Sequence, residues 1–541
     1  NIVKTDTRKL KDLWVINSVA DPRPTLETYK YWMPGEKDGS VDHLFLFDMN
    51  SKTGKELNIS SFKDQDVSPW SKQNAQNTRD DDFRPAIWLG SNTQFYFSRT
   101  SRDLKKIDQC VYDITTNTVK PIIEERLNTY VEIQRPGLVN NGKEIIEWSE
   151  RDGWAHFYLY DENGKLKNQI TSGAFHCESI VSIDEKNRVL YFTANGREKT
   201  SLSKTKEGVA KEGEKEDPYY LHLYKINFDG TGLKLLNEGN YDHQVNMNDD
   251  KAFFINTFSR VNTTPQSALF SNDGKKIMDL ETADLSSLFA AGYKFPEPFK
   301  VKADDGITDL YGVMYKPFNF DPAKKYPLIE YVYPGPQTEA VNKSFTLNMN
   351  RVDRLAQLGF IVITVGNRGG HPARSKWYHN YGYGNLRDYG LADKKATAEQ
   401  LADRFSFIDI SKVGIHGHSG GGFMSTAAML VYPDFFKVAV SNAGNHDNSI
   451  YNRWWSEKHH GVKEIISDKG DTTFTYSIDK NPDVAKNLKG KLLLIHGEID
   501  NNVHPANTMR VVNALIKANK RFDMLLLPTQ RHGFGDMTEY W

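Results

Sequence analysis

The residue most suited to do chemistry is Ser419, at the centre of Gly417-His418-Ser419-Gly420-Gly421. A G-x-S-x-G pattern between a strand and a helix places its serine on a sharp turn, where the hydroxyl is exposed and the following backbone N–H can stabilise an oxyanion. A Gly/Ser linker would not be flanked by two strongly apolar segments, as this stretch is. We therefore predict that Ser419 is a nucleophile.

A serine nucleophile needs a base, and the base needs a carboxylate to orient it. Asp500 follows the apolar run 491–496, and His532 lies in a glycine-containing loop after the run 522–527. The chain order Ser419, Asp500, His532 is the order found in α/β-hydrolases. Glu498 and Asp523 are alternatives for the acid and His504 is an alternative for the base, but their positions in the chain make them weaker candidates.

Residues 297–541 alternate between apolar strands and helices, which is typical of a parallel sheet covered on both faces. This pattern predicts an α/β-hydrolase domain over 297–541. The predicted strands are 326–333, 359–365, 413–416, 438–442, 491–496 and 522–527. The predicted helices are 390–405, 421–431 and 506–519.

Residues 1–296 consist of short alternating runs rich in Tyr, Phe, Val and Ile, each pair of runs joined by an Asp/Asn/Gly turn. The turn aspartates recur at intervals of 65, 48, 68 and 44 residues. A base period of roughly 45–50 residues, with insertions in the two long intervals, matches four-stranded β-propeller blades. These aspartates are Asp48, Asp113, Asp161, Asp229 and Asp273. About five blade-like units are visible, so we expect a partial propeller with further sequence before Asn1. A β-sandwich or an irregular β domain is the alternative.

Two insertions in this half carry dense charge, around 79–85 and over 207–217. The aspartates of the first lack the spacing of a calcium loop. We expect both to be solvated surface loops, although the second could instead be a partner-binding tail.

Composition excludes several other functions. The 541 residues exceed what one core can organise, and no apolar run reaches the length of a membrane helix. With 69 basic and 70 acidic side chains there is no nucleic-acid footprint. The histidine pairs 416/418 and 459/460 lack further metal ligands at a recognisable spacing, so neither a metal nor a cofactor is expected. Cys110 and Cys177 could form one disulfide or remain two free thiols.

A propeller followed by such a hydrolase domain resembles the prolyl oligopeptidase family of serine peptidases, and in particular its dipeptidyl-peptidase IV branch, which includes bacterial prolyl tripeptidyl peptidases. The stretches that carry the resemblance are YPLIEYVYPGP (326–336), HGEIDNNVHP (496–505), NSIYNRWWSEKHHG (448–461) and, more loosely, SERDGWAHFYLYDENGK (149–165).

The resemblance implies roles for individual residues. Tyr333 would join the Gly420 N–H in an oxyanion hole, unless it is an ordinary strand-end aromatic. Asn502 would contact a substrate carbonyl, and Val503 would line the pocket. The flat pocket for a proline ring would be formed by Tyr451 with Trp455 or, alternatively, Trp454; these aromatics could also be plain core residues.

Two departures from the family pattern concern substrate choice. The elbow usually reads G-W-S-Y-G-G, whereas His418 and Gly420 replace both aromatic residues here. The glutamate pair that holds the free amine of the substrate in dipeptidyl peptidases has no convincing counterpart, because 122–128 follows a blade hairpin and is misplaced for that role.

The sequence therefore predicts a serine peptidase that releases N-terminal di- or tripeptides after Pro or a small residue. An acylaminoacyl peptidase or esterase remains an alternative, as does a catalytically inert peptide-binding subunit. The resemblance also implies a location and an oligomeric state. Because bacterial members of this branch are often exported, we expect a periplasmic or cell-surface location in a bacterium, and because related enzymes often dimerise, a homodimer is an open alternative to a monomer.

Overall fold

The computed structural model describes residues 2–70, 88, 92–132, 134–198, 216–333, 336–346 and 351–535. The aspartate-rich insertion at 79–85 and residues 207–215 of the second insertion lie outside these ranges. None of the helices within them is both long and apolar enough to cross a membrane.

The strands of the first half form blade-like antiparallel sheets. They are β1 (Ile2–Asp6), β2 (Lys11–Asn17), β3 (Thr25–Tyr31), β4 (Val41–Asp48), β5 (Thr53–Glu56), β6 (Asp66–Pro69), β7 (Gln94–Thr100), β8 (Lys106–Asp113), β9 (Thr118–Arg126), β10 (Gly137–Val139), β11 (Glu144–Ser149), β12 (His156–Asp161), β13 (Leu166–Gln169), β14 (His176–Asp184), β15 (Val189–Asn195), β16 (Leu221–Asn227), β17 (Lys234–Leu235), β18 (Asp242–Met247), β19 (Phe253–Ser259), β20 (Gln266–Ser271) and β21 (Lys276–Thr282). Four four-stranded sheets follow one another as β6–β9, β10–β13, β14–β17 and β18–β21, and β1, β4 and β5 form a three-stranded sheet before them. The prediction of about five blade-like units is confirmed. Strands β2 and β3 form a separate hairpin between β1 and β4.

The turn aspartates close the outer hairpin of each blade. Asp113 Oδ1 accepts hydrogen bonds from the N–H groups of Thr115 and Thr116, at 2.8 and 3.1 Å. A short carboxylate that bonds the backbone two residues further on mimics a backbone turn, which is why aspartate recurs at these positions. The same bond to the second residue after the aspartate forms at Asp48, Asp161, Asp229 and Asp273.

Neighbouring blades pack through aromatic side chains. The rings of Phe157, Phe192 and Tyr224 come from three strands of two adjacent blades and stack or meet edge-on at 5.5 and 5.6 Å between centroids. Cys177 belongs to the same core, and both it and Cys110 are buried free thiols. The disulfide alternative is therefore wrong.

The second half is built on one eight-stranded sheet. Its strands, with the small hairpin β28–β29, are β22 (Glu297–Lys302), β23 (Asp309–Tyr315), β24 (Tyr326–Tyr331), β25 (Ile361–Val365), β26 (Ile408–His418), β27 (Phe436–Asn442), β28 (Lys463–Ile466), β29 (Thr472–Thr475), β30 (Lys491–Gly497) and β31 (Asp523–Leu527). Over all the described residues of both halves, the α-helices are α1 (Ser286–Ala290), α2 (Arg351–Ala356), α3 (Lys376–His379), α4 (Leu391–Arg404), α5 (Gly420–Val431), α6 (Arg453–His460) and α7 (Ala506–Lys517). The 3-10 helices are Asn140–Gly142, Asn380–Gly382 and Asn481–Asn487. The sheet order is β22-β23-β25-β24-β26-β27-β30-β31, with every pair from β25 to β31 parallel.

The predicted strands and helices of this half are confirmed with shifted ends. The largest shift is in β26, which begins at Ile408 rather than at 413. Ile408 and Asp409 pair with the first residues of β24 before a bulge, after which Leu328 pairs with Val413. The polar residues between these two pairings break the apolar run, so the sequence pattern showed only the second part of the strand.

A buried arginine joins the two halves. The Arg102 guanidinium, fully buried in the second blade, binds both carboxylate oxygens of Glu457 on α6, at 2.7 and 3.0 Å, and Asp64 at 3.0 Å. The rings of Trp32 and Phe474 lie on it, with centroids 4.8 and 4.4 Å from Cζ. Two carboxylates and two aromatic rings thus surround the guanidinium, and the pair with Glu457 fixes α6 against the blades.

Arg102→Met should lower the free energy of unfolding by about 3–5 kcal/mol, because it removes the bidentate partner of the buried Glu457 carboxylate. In the part of the chain that the structure describes, only the Gly35 N–H at 2.8 Å and the more distant Arg453 guanidinium at 3.9 Å would then remain against that carboxylate. Guanidinium denaturation monitored by circular dichroism measures the change. Arg8→Met is the matched control, since Arg8 pairs with Asp6 on the surface and its loss should leave the transition midpoint unchanged. Equal midpoints for both variants would show that the Arg102–Glu457 pair does not stabilise the fold.

Candidate active site

Ser419 occupies the turn between β26 and α5 with a left-handed backbone conformation, φ 57° and ψ −119°. Few residues other than glycine adopt such angles, and they are held only where the surroundings enforce them. Here the Ser419 N–H donates to Asn442 O at 2.8 Å, and Ser419 O accepts from the Phe423 N–H at 3.0 Å. The turn therefore presents a serine under backbone strain, as expected for a nucleophile elbow.

The glycines of the motif allow backbone segments to touch. A Cβ at Gly417 would lie 2.1 Å from Val332 O, and one at Gly421 would lie 2.0 Å from the same oxygen. A Cβ at Gly422 would lie 2.5 Å from Asn442 O. Any side chain at these positions would push α5 away from the ends of β24 and β27, so the turn at Ser419 could not form.

Asp500 and His532 are brought together at the carboxyl ends of the neighbouring parallel strands β30 and β31. His532 Nδ1 lies 2.7 Å from Asp500 Oδ2. Asp500 Oδ1 accepts the backbone N–H groups of Asn502 and Val503, both at 2.9 Å. With Nδ1 bonded to the carboxylate, Nε2 is the nitrogen that can accept a proton from a serine.

The Asp500 carboxylate keeps its charge despite being buried. Burial alone would raise its pKa, but hydrogen bonds from His496 and His532 outweigh that effect and lower the pKa to about 2. The group is thus ionised throughout the neutral range and can stabilise a His532 cation.

The base lies beside the elbow. The His418 ring, from the residue before Ser419, is 4.8 Å from the His532 ring and 5.2 Å from the Phe534 ring. A strained serine, an imidazole and a buried carboxylate in this order can perform acyl transfer through a covalent ester.

The predicted oxyanion-hole residues lie on either side of this turn. Gly420 is the first residue of α5, so its N–H is at the helix N-terminus beside Ser419. The Tyr333 Cα would lie 3.4 Å from a Cβ at Gly421, which places the Tyr333 backbone against the start of the same helix. The two residues are brought together at the elbow.

The predicted pocket residues Tyr451, Trp455 and Asn502 are also in contact. Tyr451 and Trp455 meet at 5.6 Å between ring centroids, and the Tyr451 hydroxyl donates to Asn502 Oδ1 at 3.3 Å. Burial raises the pKa of the Tyr451 hydroxyl, and the neighbouring Tyr333 and Asp500 raise it further. Trp454, one position earlier on α6, is 49% exposed. Trp455 is therefore the tryptophan beside Tyr451.

Val503 lies against Asp500, whereas the competitor Asp523 begins β31 at the end of the strand away from His532. Val503 is fully buried, and its carbonyl accepts from His496 Nε2 at 2.8 Å. His496 Nε2 also lies 3.4 Å from Asp500 Oδ2. His496 was not predicted as a site residue, although its place in the H-G-x-x-D stretch marks it as a neighbour of the acid. Glu498 and His504 bind the N-terminal hairpin instead of the base.

Comparison with known proteins gives two family models that together match most of the chain. A model described as the prolyl oligopeptidase family matches residues 345–540, and one described as the dipeptidyl peptidase IV N-terminal region matches residues 2–265.

Individual relatives match at lower identity. Human dipeptidyl peptidase 8 is 29% identical over 378 residues, which are 67% of this chain but only 39% of that protein. Dipeptidyl peptidase 4 of Trichophyton rubrum is 25% identical over 456 residues, 81% of this chain and 55% of that protein. The chain thus spans about half or less of the length of these relatives. The crystal structure of Porphyromonas gingivalis dipeptidyl peptidase 4 shares the fold, with a TM-score of 0.80 at 24% identity over 98% of this chain and 69% of that chain.

Gly421→Ala should reduce the rate at which Ser419 reacts with a fluorophosphonate by about 100-fold, because a displacement near 1 Å at an elbow costs that much. Labelling followed by intact-mass spectrometry measures the rate. Gly535→Ala is the control, since a Cβ there meets no atom within 4 Å. Unchanged labelling of folded Gly421→Ala would show that the close contact with Val332 O does not hold the turn.

Proposed function

The chain belongs to the prolyl oligopeptidase family, in its dipeptidyl peptidase IV branch, and from this premise we propose that it is a serine peptidase that releases N-terminal di- or tripeptides from short peptides. The observation that carries the proposal is the Asp500–His532 pair beside the strained Ser419 turn. Named relatives of the chain are dipeptidyl peptidases, which supports peptides as the substrate class.

In the proposed mechanism, Ser419 Oγ attacks the carbonyl carbon of the scissile peptide while His532 Nε2 takes the hydroxyl proton. The tetrahedral oxyanion accepts hydrogen bonds from the Gly420 N–H and the Tyr333 hydroxyl. The C–N bond then breaks, and His532 returns the proton to the leaving amine. Water, activated by His532, hydrolyses the acyl ester and regenerates Ser419. Asp500 holds the imidazole and stabilises its cation throughout.

We propose that Tyr451 and Trp455 accommodate the residue before the scissile bond. Two aromatic rings at 66° to one another offer apolar faces suited to a proline ring or a small side chain. Asn502 would orient the substrate carbonyl through its side-chain amide, since its Oδ1 is engaged by Tyr451.

A second candidate is an acylaminoacyl peptidase. Glu124 and Glu125 of β9 are the glutamate pair of the 122–128 stretch, and both are engaged within the propeller: Glu125 is buried and accepts from Ser149, while Glu124 pairs with Arg126. They are unsuited to hold a substrate amine, which favours testing substrates with a blocked N-terminus.

A fluorophosphonate and three chromogenic peptides distinguish the candidates. Wild-type protein should form an adduct at Ser419, and Ser419→Ala, the matched control, should form none. Gly-Pro and Ala-Ala-Pro derivatives should be cleaved in preference to an N-blocked peptide. Absence of an adduct would leave the inert binding subunit as the explanation, whereas preference for the blocked peptide would replace the aminopeptidase by the acylaminoacyl peptidase.

We further propose export to the periplasm or cell surface of a bacterium. Recovery of the native protein in the cytoplasmic fraction of its source cells would contradict that location.

A homodimer through the edge of the eight-stranded sheet is also part of the proposal. Among the described residues, β31 is the last strand of the sheet, and its Met524, Leu525 and Leu526 are substantially exposed. An exposed apolar edge strand is a template for pairing with another chain.

Leu525→Lys should convert a dimer to a monomer in light scattering after size exclusion, because it places a charge in the paired edge. Ile307→Lys, at an exposed apolar residue elsewhere, is the control and should remain dimeric. A monomeric wild type, or a dimeric Leu525→Lys, would contradict this interface.

A further inference from the structure

The β2–β3 hairpin contacts the loops of the candidate active site that carry the acid and the base. It forms its own two-stranded sheet, apart from the blade formed by β1, β4 and β5. A two-stranded hairpin alone is marginally stable in water, so its position depends on what one of its faces contacts. Alternate residues of β3 share a face, and those at 27, 29 and 31 are less exposed than those at 26, 28 and 30.

The less exposed face contacts the loop that carries the acid. The buried Tyr31 hydroxyl donates to Asn502 O at 2.8 Å. His504 Nε2 donates to Trp14 O at 3.0 Å, so both strands of the hairpin bind this loop. At the turn of the hairpin, the Ser18 N–H donates to Glu498 Oε2 at 3.2 Å.

The same hairpin contacts the loop that carries the base. Arg531, the residue before His532, donates from Nη2 to Glu27 Oε2 at 2.7 Å. Its Nη1 donates to Ile499 O at 3.4 Å, just before Asp500. Arg531 thus connects the hairpin, the base loop and the acid loop.

These contacts lead directly to the catalytic pair. Tyr31 holds the carbonyl of Asn502, whose own N–H donates to Asp500 Oδ1. The other oxygen of that carboxylate binds His532. Losing the Tyr31 hydroxyl would leave the Asn502 carbonyl without this donor. Within the described parts of the chain, only the Val503 N–H, in the same peptide, would then orient that group, through its bond to Asp500 Oδ1.

We propose that Tyr31 and Glu27 are positioning residues for the Asp500–His532 pair, supplied by the propeller half of the chain. The inference rests on the proposed function, because it assigns the pair a catalytic role. The hairpin acts on the two loops from outside the hydrolase sheet, and neither residue is required to touch substrate.

Tyr31→Phe should lower kcat for a Gly-Pro chromogenic peptide about fivefold, the value of one hydrogen bond to a constrained group, with KM changed less than twofold. Because a less well oriented carboxylate stabilises the imidazolium less, the acid limb of the kcat/KM profile should move to lower pH by about half a unit. Asp500 also faces His496, and His532 faces His418, and both neighbours are unchanged in this variant.

Thr28→Val is the matched control, because it removes a hydroxyl from the exposed face of the same strand. It should leave kcat and the pH profile as in wild type. Rates are normalised to the fraction of molecules that react with excess fluorophosphonate, so that loss of folded protein does not register as loss of kcat. A Tyr31→Phe profile identical to that of Thr28→Val would overturn the inference for Tyr31.

Glu27→Gln tests the second contact. It should slow fluorophosphonate labelling of Ser419 about twofold to fivefold relative to wild type. This difference in rate should become smaller in high salt, because salt screens the solvent-accessible Glu27–Arg531 pair of the wild type. A rate equal to wild type at low salt would overturn the role of Glu27. If wild type itself forms no adduct at Ser419, the proposed function fails; if wild type reacts and both variants match it, only the positioning inference fails.

Discussion

The close approach of α5 to the end of β24 is the constraint on which the rest of the site depends. The Val332 carbonyl occupies the space that side chains at Gly417 and Gly421 would need. That contact is possible only if β26 pairs with β24 in the observed register, with Tyr331 opposite His416. It also requires a helix that can be buried on every side, and residues 420–430 of α5 are all buried. The strained angles of Ser419 are therefore a consequence of packing through the whole sheet.

The propeller half contributes to the site through two sets of contacts. Arg102 fixes Glu457 on α6, the helix that carries Trp455, while the β2–β3 hairpin binds the loops of Asp500 and His532. A buried ion pair fixes the helix on the pocket side. On the side of the acid and the base, the hairpin uses hydrogen bonds to backbone carbonyls together with the Glu27–Arg531 ion pair. The first half of the chain thus contacts the segments that carry Trp455, Asp500 and His532, all of which lie in the hydrolase half.

The elements that local pattern determines could be predicted from the sequence. Buried parallel strands such as β25 and β30 are continuous apolar runs, and Asp113 or Asp161 marks a turn by bonding its own backbone. Ser419, Asp500 and His532 each follow such a strand, and the carboxyl ends of parallel strands lie at one edge of a sheet, so their proximity could be predicted as well. Contacts that join distant segments left no such pattern: Tyr31 meets Asn502 across 471 positions, and alternation alone cannot tell which partner a strand face will meet. The choice between Trp454 and Trp455 likewise depends on how α6 is rotated, which Arg102 and Glu457 determine.

The departure of the elbow from the family pattern can be interpreted from this geometry. A ring still follows Gly417, and the His418 imidazole packs against His532 and Phe534, so the base keeps a flat neighbour where the family has an indole. Gly420, by contrast, removes a side chain at the first residue of α5 without changing the backbone N–H there. At position 418 a ring thus still packs against the base, and at position 420 the side chain next to the nucleophile is absent. In the proposed mechanism, acyl transfer depends on the Ser419 backbone and the Asp500–His532 pair, which neither replacement alters. The fit of the substrate would depend instead on the side chains at positions 418 and 420. We therefore expect these two positions to affect the fit of the substrate rather than the acyl-transfer step of the proposed mechanism.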